Sequence, residues 1–280
     1  MRRFKQVDVF TERPFLGNPV AVVLDAEGLD SAAMQRIAGW TNLSETTFVL
    51  PSQAADYRLR IFTPREELPF AGHPTIGSAH AALEAGLAKP KNGRLRQECG
   101  AGIIELAVED GGRIFLRGPE PKLEPLEGVN PSAFGVPLMP GSSLVRIAIG
   151  PVWLVGGMSD AKALAALRPD MSALAERSAS LRATGLTVFA TSDDCVAAIH
   201  VRSFAPAHGI PEDPVCGSGN LAVAAYLRHA GALEKYGARY VARQGSQLGR
   251  DGRVYVRVEA DGTWLGGNAV TCVEGALNAG

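Results

Sequence analysis

The chain has 280 residues, of which 46 % are hydrophobic and 20 % charged. This is an ordinary globular composition, and the length exceeds the roughly 100–200 residues of one typical domain. Its 28 Lys and Arg against 29 Asp and Glu raise no field that would gather nucleic acid or an anionic membrane, and no basic run interleaves with aromatics as in a nucleic-acid reader.

The opening residues 1–8 lack the apolar core of a signal peptide, and no stretch approaches the ~18 apolar residues of a membrane span. Cys99, Cys195, Cys216 and Cys272 are scattered, with no CxxC pair. They read as reduced thiols of a cytoplasmic protein, not as a disulfide frame or a zinc site. In chain order, residues 17–23 read as loop then strand, 31–40 as helix and 46–50 as strand. Residues 57–64 alternate like a strand stopped by a proline. Gly72-His73-Pro74-Thr75-Ile76-Gly77-Ser78 then leads into an apolar-periodic stretch at 79–87 that fades at Ala85-Gly86.

Gly118-Pro119-Glu120-Pro121-Lys122, with Pro125, Pro131, Pro137 and Pro140 beyond it, reads as a crossing between domains. After it the pattern returns: loop and strand at 150–155, helix at 160–167, strand at 186–190, and strand at 200–206 ending in proline. Glu212-Asp213-Pro214-Val215-Cys216-Gly217-Ser218 then leads into an apolar stretch at 221–233 with Ala230-Gly231 inside it. The plainer alternative is coincidence between two common strand-loop-helix units, but the shared order predicts a duplication. The expected fold is α+β, with two pseudo-symmetric domains at 1–124 and 125–280 and the last strand free to return to the first. Each domain is expected to wrap a largely antiparallel sheet around a central helix, with a ligand cleft between the two.

The two helix starts carry the chemistry. Free amide N–H groups and positive partial charge in a first turn favour an anion, and Gly72, Gly77, Gly217 and Gly219 would let a ligand approach the backbone. A small carboxylic acid suits such a place, although each loop alone also reads as an ordinary cap. Aligning Gly77-Ser78 with Gly217-Ser218 sets His73 opposite Asp213, for which helix capping is a rival role, while Glu212 reads as solvated. Glu45 stands at the entrance to a strand, where acids are usually exposed. Thr184-Gly185-Leu186-Thr187 in the second half offers no acid. A carboxylate on one side only is what a one-base proton transfer requires, and partial burial would tune its pKa for that work.

Phe15-Leu16-Gly17-Asn18-Pro19, Ser44-Glu45-Thr46, Thr63-Pro64, Phe70-Ala71-Gly72-His73-Pro74-Thr75 and Glu212-Asp213-Pro214 followed by Gly217-Ser218 together resemble the phenazine-biosynthesis PhzF-like family. The resemblance implies the diaminopimelate-epimerase-like fold and a homodimer. It also implies Glu45 as acid–base residue with His73 and Asp213 as polar partners. Gly72, Gly217 and Ser218 would bind substrate, and the best-known member isomerises a dihydro-hydroxyanthranilate without a cofactor. Cys216 departs from the family pattern, which often has Thr there. More distant amino-acid epimerases and proline racemases of this fold use a thiol pair, and a helix N-terminus is expected to lower the pKa of Cys216. The expected activity is therefore a cofactor-independent isomerase moving a proton between carbons of a small carboxylate. It would need no metal, nucleic acid or membrane. Two alternatives stay open: an epimerase or racemase using Cys216 with a second base, or a relative that binds a small molecule without turnover.

Overall fold

The computed structural model describes residues 1–126, 134, 136–140 and 142–279, so Pro131 of the Pro-rich crossing lies outside the described residues. The chain divides into two units, 1–117 with 266–280, and 118–265.

The first unit runs β1 (Arg2–Val9), β2 (Asn18–Val23), α1 (Ser31–Thr41), β3 (Thr46–Leu50), β4 (Tyr57–Phe62), β5 (Glu67–Leu68), α2 (Gly72–Glu84), β6 (Arg94–Cys99), β7 (Gly102–Val108) and β8 (Ile114–Arg117). The second runs β9 (Lys122–Pro125), β10 (Val145–Ala148), β11 (Val152–Gly157), α3 (Ala161–Ala166), α4 (Met171–Ser180), β12 (Gly185–Thr191), β13 (Ile199–Ala205), β14 (Ile210–Asp213), α5 (Gly217–His229), α6 (Leu233–Tyr236), β15 (Arg239–Gln244), β16 (Gly252–Glu259) and β17 (Gly262–Gly267). The final strand, β18 (Ala269–Leu277), pairs along β1 and so belongs with the first unit. Because β9 pairs with β10, the division falls ahead of the 124/125 boundary set from the sequence.

The two units repeat one pairing plan. In the first, β1–β2 is antiparallel, β2–β3 parallel, β3–β4 and β4–β5 antiparallel, β4–β6 parallel and β6–β7 antiparallel. In the second, β10–β11, β11–β12, β12–β13, β13–β14, β13–β15 and β15–β16 follow the same order of senses. Strand β9 flanks β10 as β18 flanks β1. The fold is thus the duplicated α+β arrangement, each unit a largely antiparallel sheet built around one helix.

That helix is α2 in the first unit, touching β18 and β1 at one end of the sheet and β8 at the other. In the second it is α5, packed on β10, β11, β12 and β16. Each has 13 residues, and His73 through Ala79 are all buried. Burial on every side erases the apolar stripe that marks a surface helix. The periodicity seen from 79 and 221 therefore catches only the later turns, and the helices begin earlier, at Gly72 and Gly217. Pro74 is tolerated as the third helical residue because first-turn N–H groups have no intrahelical acceptor. Both helices end in the same closure: Leu87 N–H reaches the Ala82 carbonyl and Ala232 N–H the Leu227 carbonyl, each at 2.9 Å. Gly86 and Gly231 supply the positive φ that this closure needs, at 70° and 65°.

The opposite face of each sheet is covered too. α1 packs on β3 and β4, and α3 and α4 pack on β12. Strand β3 is therefore buried on both faces and reads as an unbroken run. Thr47 turns inward to share a 2.7 Å hydrogen bond with Ser78 of α2, while Phe48 turns outward to Met34, Ala38 and Phe62. Phe48 meets Phe62 edge to face, with centroids 5.5 Å apart. In the second unit Leu154, Leu164, Leu174, Leu186, Val188 and Phe204 form the matching outer core.

Gly77 shows how close helix and sheet lie: a Cβ there would stand 2.5 Å from Val20 and 2.9 Å from Val9. At Gly72 the nearest atom is Leu116 Cδ2, at 4.0 Å. Gly77→Ala is expected to destabilise the protein by about 1–3 kcal/mol through overpacking, whereas Gly72→Ala should leave urea unfolding within roughly 0.5 kcal/mol of wild type. Equal losses at the two positions would contradict this account of the helix–sheet contact.

Candidate functional site

In the first unit, α1 ends at Asn42, whose left-handed backbone (φ 54°) turns the chain sharply back toward β3. The Thr41 and Thr46 hydroxyls hold the turn with a 2.6 Å hydrogen bond, and Ala21 N–H donates to the Glu45 carbonyl at 3.3 Å. Glu45 is thereby fixed at the mouth of β3. Its Oε2 lies 3.3 Å from Nε2 of His73, the second residue of α2, with the side chains only 15 % and 9 % exposed. No hydrogen bond of good geometry reaches that buried oxygen. Burial pushes the Glu45 carboxyl above its ordinary pKa, and the Ser44 side chain only partly opposes this.

In the second unit, Asp213 closes β14. Its Oδ1 accepts from Val215 N–H at 3.1 Å, and its carbonyl accepts from Gln244 Nε2 at 2.9 Å. Glu212, expected to be solvated, is instead buried against Arg202, which donates to both its carboxylate oxygens at 2.8 Å. The same guanidinium donates to the carbonyls of Leu164 in α3 and of Leu167 just after it, and lies over the Phe204 ring. Removing either partner of so dry a bidentate pair typically costs about 3–5 kcal/mol. The pair anchors the strand that carries Asp213.

Cys216 is the N-cap of α5, its sulfur accepting from Gly219 N–H at 3.3 Å and lying 3.6 Å from Ser218 Oγ. Its thiol pKa is raised well above the ordinary value, first by burial and then by the Asp213 carboxylate. The lowering expected from the helix N-terminus does not occur, because loss of water and a neighbouring negative charge outweigh the helix dipole. Ser218 accepts from Trp153 Nε1 at 3.0 Å. Gly217, the first residue of α5, is buried. The glycines divide: a Cβ on Gly72 would meet Leu116 only at 4.0 Å, whereas one on Gly219 would stand 2.5 Å from Ser203 Oγ, so Gly219, like Gly77, serves packing rather than ligand approach.

The structure also corrects the register between the halves. Counting from the N-caps Ala71 and Cys216, Gly72 matches Gly217 and His73 matches Ser218. Strand pairing matches Ile61 with Ser203 and hence Leu68 with Asp213, so Asp213 is not the counterpart of His73. Glu45 does match Gly185, where even a Cβ would collide with the Phe204 carbonyl.

One supporting pair escaped the sequence reading. Gln97 on β6 donates to Thr75 of α2 at 3.1 Å and accepts from Tyr57 at 2.9 Å. Gln244 on β15 accepts from Asn220 of α5 at 2.9 Å. Thr75 and Asn220 are both the fourth residue of their helix. Each glutamine falls in phase with the buried residues of its strand, which was the available signal. Among the described residues no group of three or more His, Cys, Asp and Glu is arranged to hold a metal ion. None of their helices is long and apolar enough to cross a membrane.

The family model described as phenazine biosynthesis-like protein (PhzC-PhzF) matches residues 7–275. The chain is 41 % identical to antisense-enhancing sequence 1 of Schizosaccharomyces pombe, over 97 % of each chain. It is 35 % identical to trans-2,3-dihydro-3-hydroxyanthranilate isomerase of Pseudomonas aeruginosa, over 98 % of this chain and 99 % of the other. The crystal structure of a PhzF-family phenazine biosynthesis protein from Bacillus anthracis superposes with a TM-score of 0.87 at 28 % identity, over 98 % of both chains.

Two outcomes follow from the electrostatics. A carboxyl whose pKa is raised by folding favours the native state while protonated, and that contribution is lost as pH rises through the raised value. Glu45→Gln, which cannot ionise, should therefore melt above wild type at pH 8, with the gap closing toward pH 4. Each 1 kcal/mol would appear as roughly 2–4 °C. Iodoacetamide at pH 7.5 should label the exposed Cys195 quickly and the buried Cys216 only after unfolding, as peptide mass spectrometry would report.

Proposed function

The chain belongs to the phenazine biosynthesis-like family and is an isomerase or epimerase of it, and from that premise we propose that Glu45 moves a proton between two carbons of a small carboxylate substrate. The observation that carries this reading is the Glu45–His73 contact, a buried carboxyl 3.3 Å from an imidazole and displaced toward its neutral form. A proton carrier must accept and release at similar cost, and a carboxyl moved up from its ordinary range does so better near neutral pH than an exposed one.

In the proposed step, Glu45 as carboxylate takes a proton from an activated C–H. The bond's electron pair enters the adjoining unsaturated system, the double bond shifts, and Glu45 returns the proton to the carbon at the far end. Atoms and electrons balance, so no redox partner or cofactor is called for. His73 orients the Glu45 carboxyl and steadies the charge that develops, and the family resemblance adds Asp213 as a further polar partner. The named substrate of the Pseudomonas relative, trans-2,3-dihydro-3-hydroxyanthranilate, is the first compound to assay. An epimerase reading through Cys216 finds less support. That thiol is held protonated, and its counterpart at the head of α2 is Ala71.

In heavy water the wild type should place solvent deuterium in the product, and Glu45→Gln should slow turnover by about 10²–10⁴-fold while still binding substrate. Cys216→Thr, which keeps an N-cap acceptor, should retain most activity. Wild-type turnover and exchange in Glu45→Gln, with inactivity of Cys216→Thr, would transfer the proton to the thiol and end the present reading.

A further inference from the structure

We propose that Trp153 is a positioning residue of the site, holding the Ser218 hydroxyl as a hydrogen-bond donor toward the carboxylate of the substrate. The inference rests on the proposed function above and on Ser218 as the substrate-binding residue that the family resemblance implies.

Indole nitrogen only donates, and a serine hydroxyl has one proton to give and two lone pairs to receive. Trp153 Nε1 lies 3.0 Å from Ser218 Oγ and so fills one of those lone pairs. Trp153 cannot readily follow a moving hydroxyl. It is 3 % exposed on β11, with Ile147 of β10 opposite it on one side and Gly185 of β12 on the other. Gly185 in turn lies so close to the Phe204 carbonyl that it has no room for a Cβ.

Among the described residues, the proton of Ser218 then has one nearby claimant in the second unit, the Cys216 sulfur at 3.6 Å. That sulfur is a weak acceptor and already receives Gly219 N–H. An anionic oxygen arriving at the head of α5 would take the proton from so poor a partner, forming the stronger, charge-assisted bond. Ser218 itself, the second residue of α5, is only partly buried and open to such an approach.

The other half of the molecule offers a comparison. Where the second unit has Trp153 and Ser218, strand and helix registers place Val20 and His73 in the first. The indole occurs where a hydroxyl needs its direction set. It is absent where His73 Nε2 stands 3.3 Å from the Glu45 carboxyl instead.

The test is a double-substitution cycle read by calorimetry. Its probes are anthranilate, the stable aromatic acid on which the relatives' named substrate is built, and aniline, the same ring without the carboxylate. Wild type should bind anthranilate more tightly than aniline. Trp153→Phe, which keeps a ring but loses the N–H, should weaken anthranilate roughly three- to tenfold, the range of one net hydrogen bond, and leave aniline unchanged. Ser218→Ala should weaken it at least as much, and the double variant should be no worse than Ser218→Ala alone. If Trp153→Phe fails to fold, Trp153→Leu, which also lacks an N–H, takes its place in the cycle.

Additive losses would make Trp153 a packing residue and overturn the proposal. So would an equal loss for aniline, no effect of Ser218→Ala, or a wild type that does not distinguish the two probes. Binding of anthranilate involves no proton transfer, so this result stands or falls separately from the heavy-water experiment on Glu45.

Discussion

A helix enclosed by its own sheet has to be made of small residues, and every polar group it carries must be satisfied from within. That constraint organises both halves of the molecule. Gly, Ala and Ser recur through α2 and α5 because larger side chains would push the strands apart, as the Val9 and Val20 contacts at Gly77 illustrate. The polar residues that remain are tied down locally: Ser78 to Thr47, Thr75 to Gln97, and Asn220 to Gln244. An unpaired buried hydroxyl or amide typically costs about 1–3 kcal/mol, so these bonds set the helix's position along its axis as well as its depth. Once that position is fixed, so is whatever the first helical turn carries. In the first unit that is His73, delivered against Glu45 at the head of the neighbouring strand.

The duplication supplies two copies of this frame, and chemistry enters where the copies differ. Glu45 stands where the second unit has Gly185, with no space for any side chain. His73 stands where the other helix has Ser218, Ala71 where it has Cys216, and Leu68 where it has Asp213. Thr75 and Asn220, which match in helix position, both bond to a buried glutamine of a neighbouring strand.

The duplication was legible in the sequence because its punctuation survives: prolines at strand ends, Ala-Gly at helix ends, and two loops in the same order. Glu45 and His73 could be singled out in the sequence as well, the one by the lack of an acid in the second half and the other by its place at a helix start, but not their 3.3 Å contact. Less legible was anything that depends on register. Gly77-Ser78 and Gly217-Ser218 look alike on paper, yet Ser78 is a buried partner of Thr47 and Ser218 is the second residue of its helix. The start of an all-round buried helix shows no change of period, so four to seven residues of each helix head lay hidden in what read as loop. Glu212 misled for a related reason. A charged residue next to a proline reads as solvated until the strand that pairs with it brings Arg202 within 2.8 Å.

Cys216 shows how one position can keep its structural duty while its chemistry is set by its surroundings. An N-cap must offer an acceptor to the first turn, and sulfur, serine oxygen and threonine oxygen can all do so. Reactivity is a separate matter, decided by whether the thiolate is stable. A helix N-terminus favours the anion by at most ~2 kcal/mol in a partly buried setting. Full burial and an adjacent carboxylate work in the opposite direction, and here they prevail. Burial first, and the Asp213 carboxylate second, keep the Cys216 thiol in its protonated form, so the position caps its helix without presenting a thiolate.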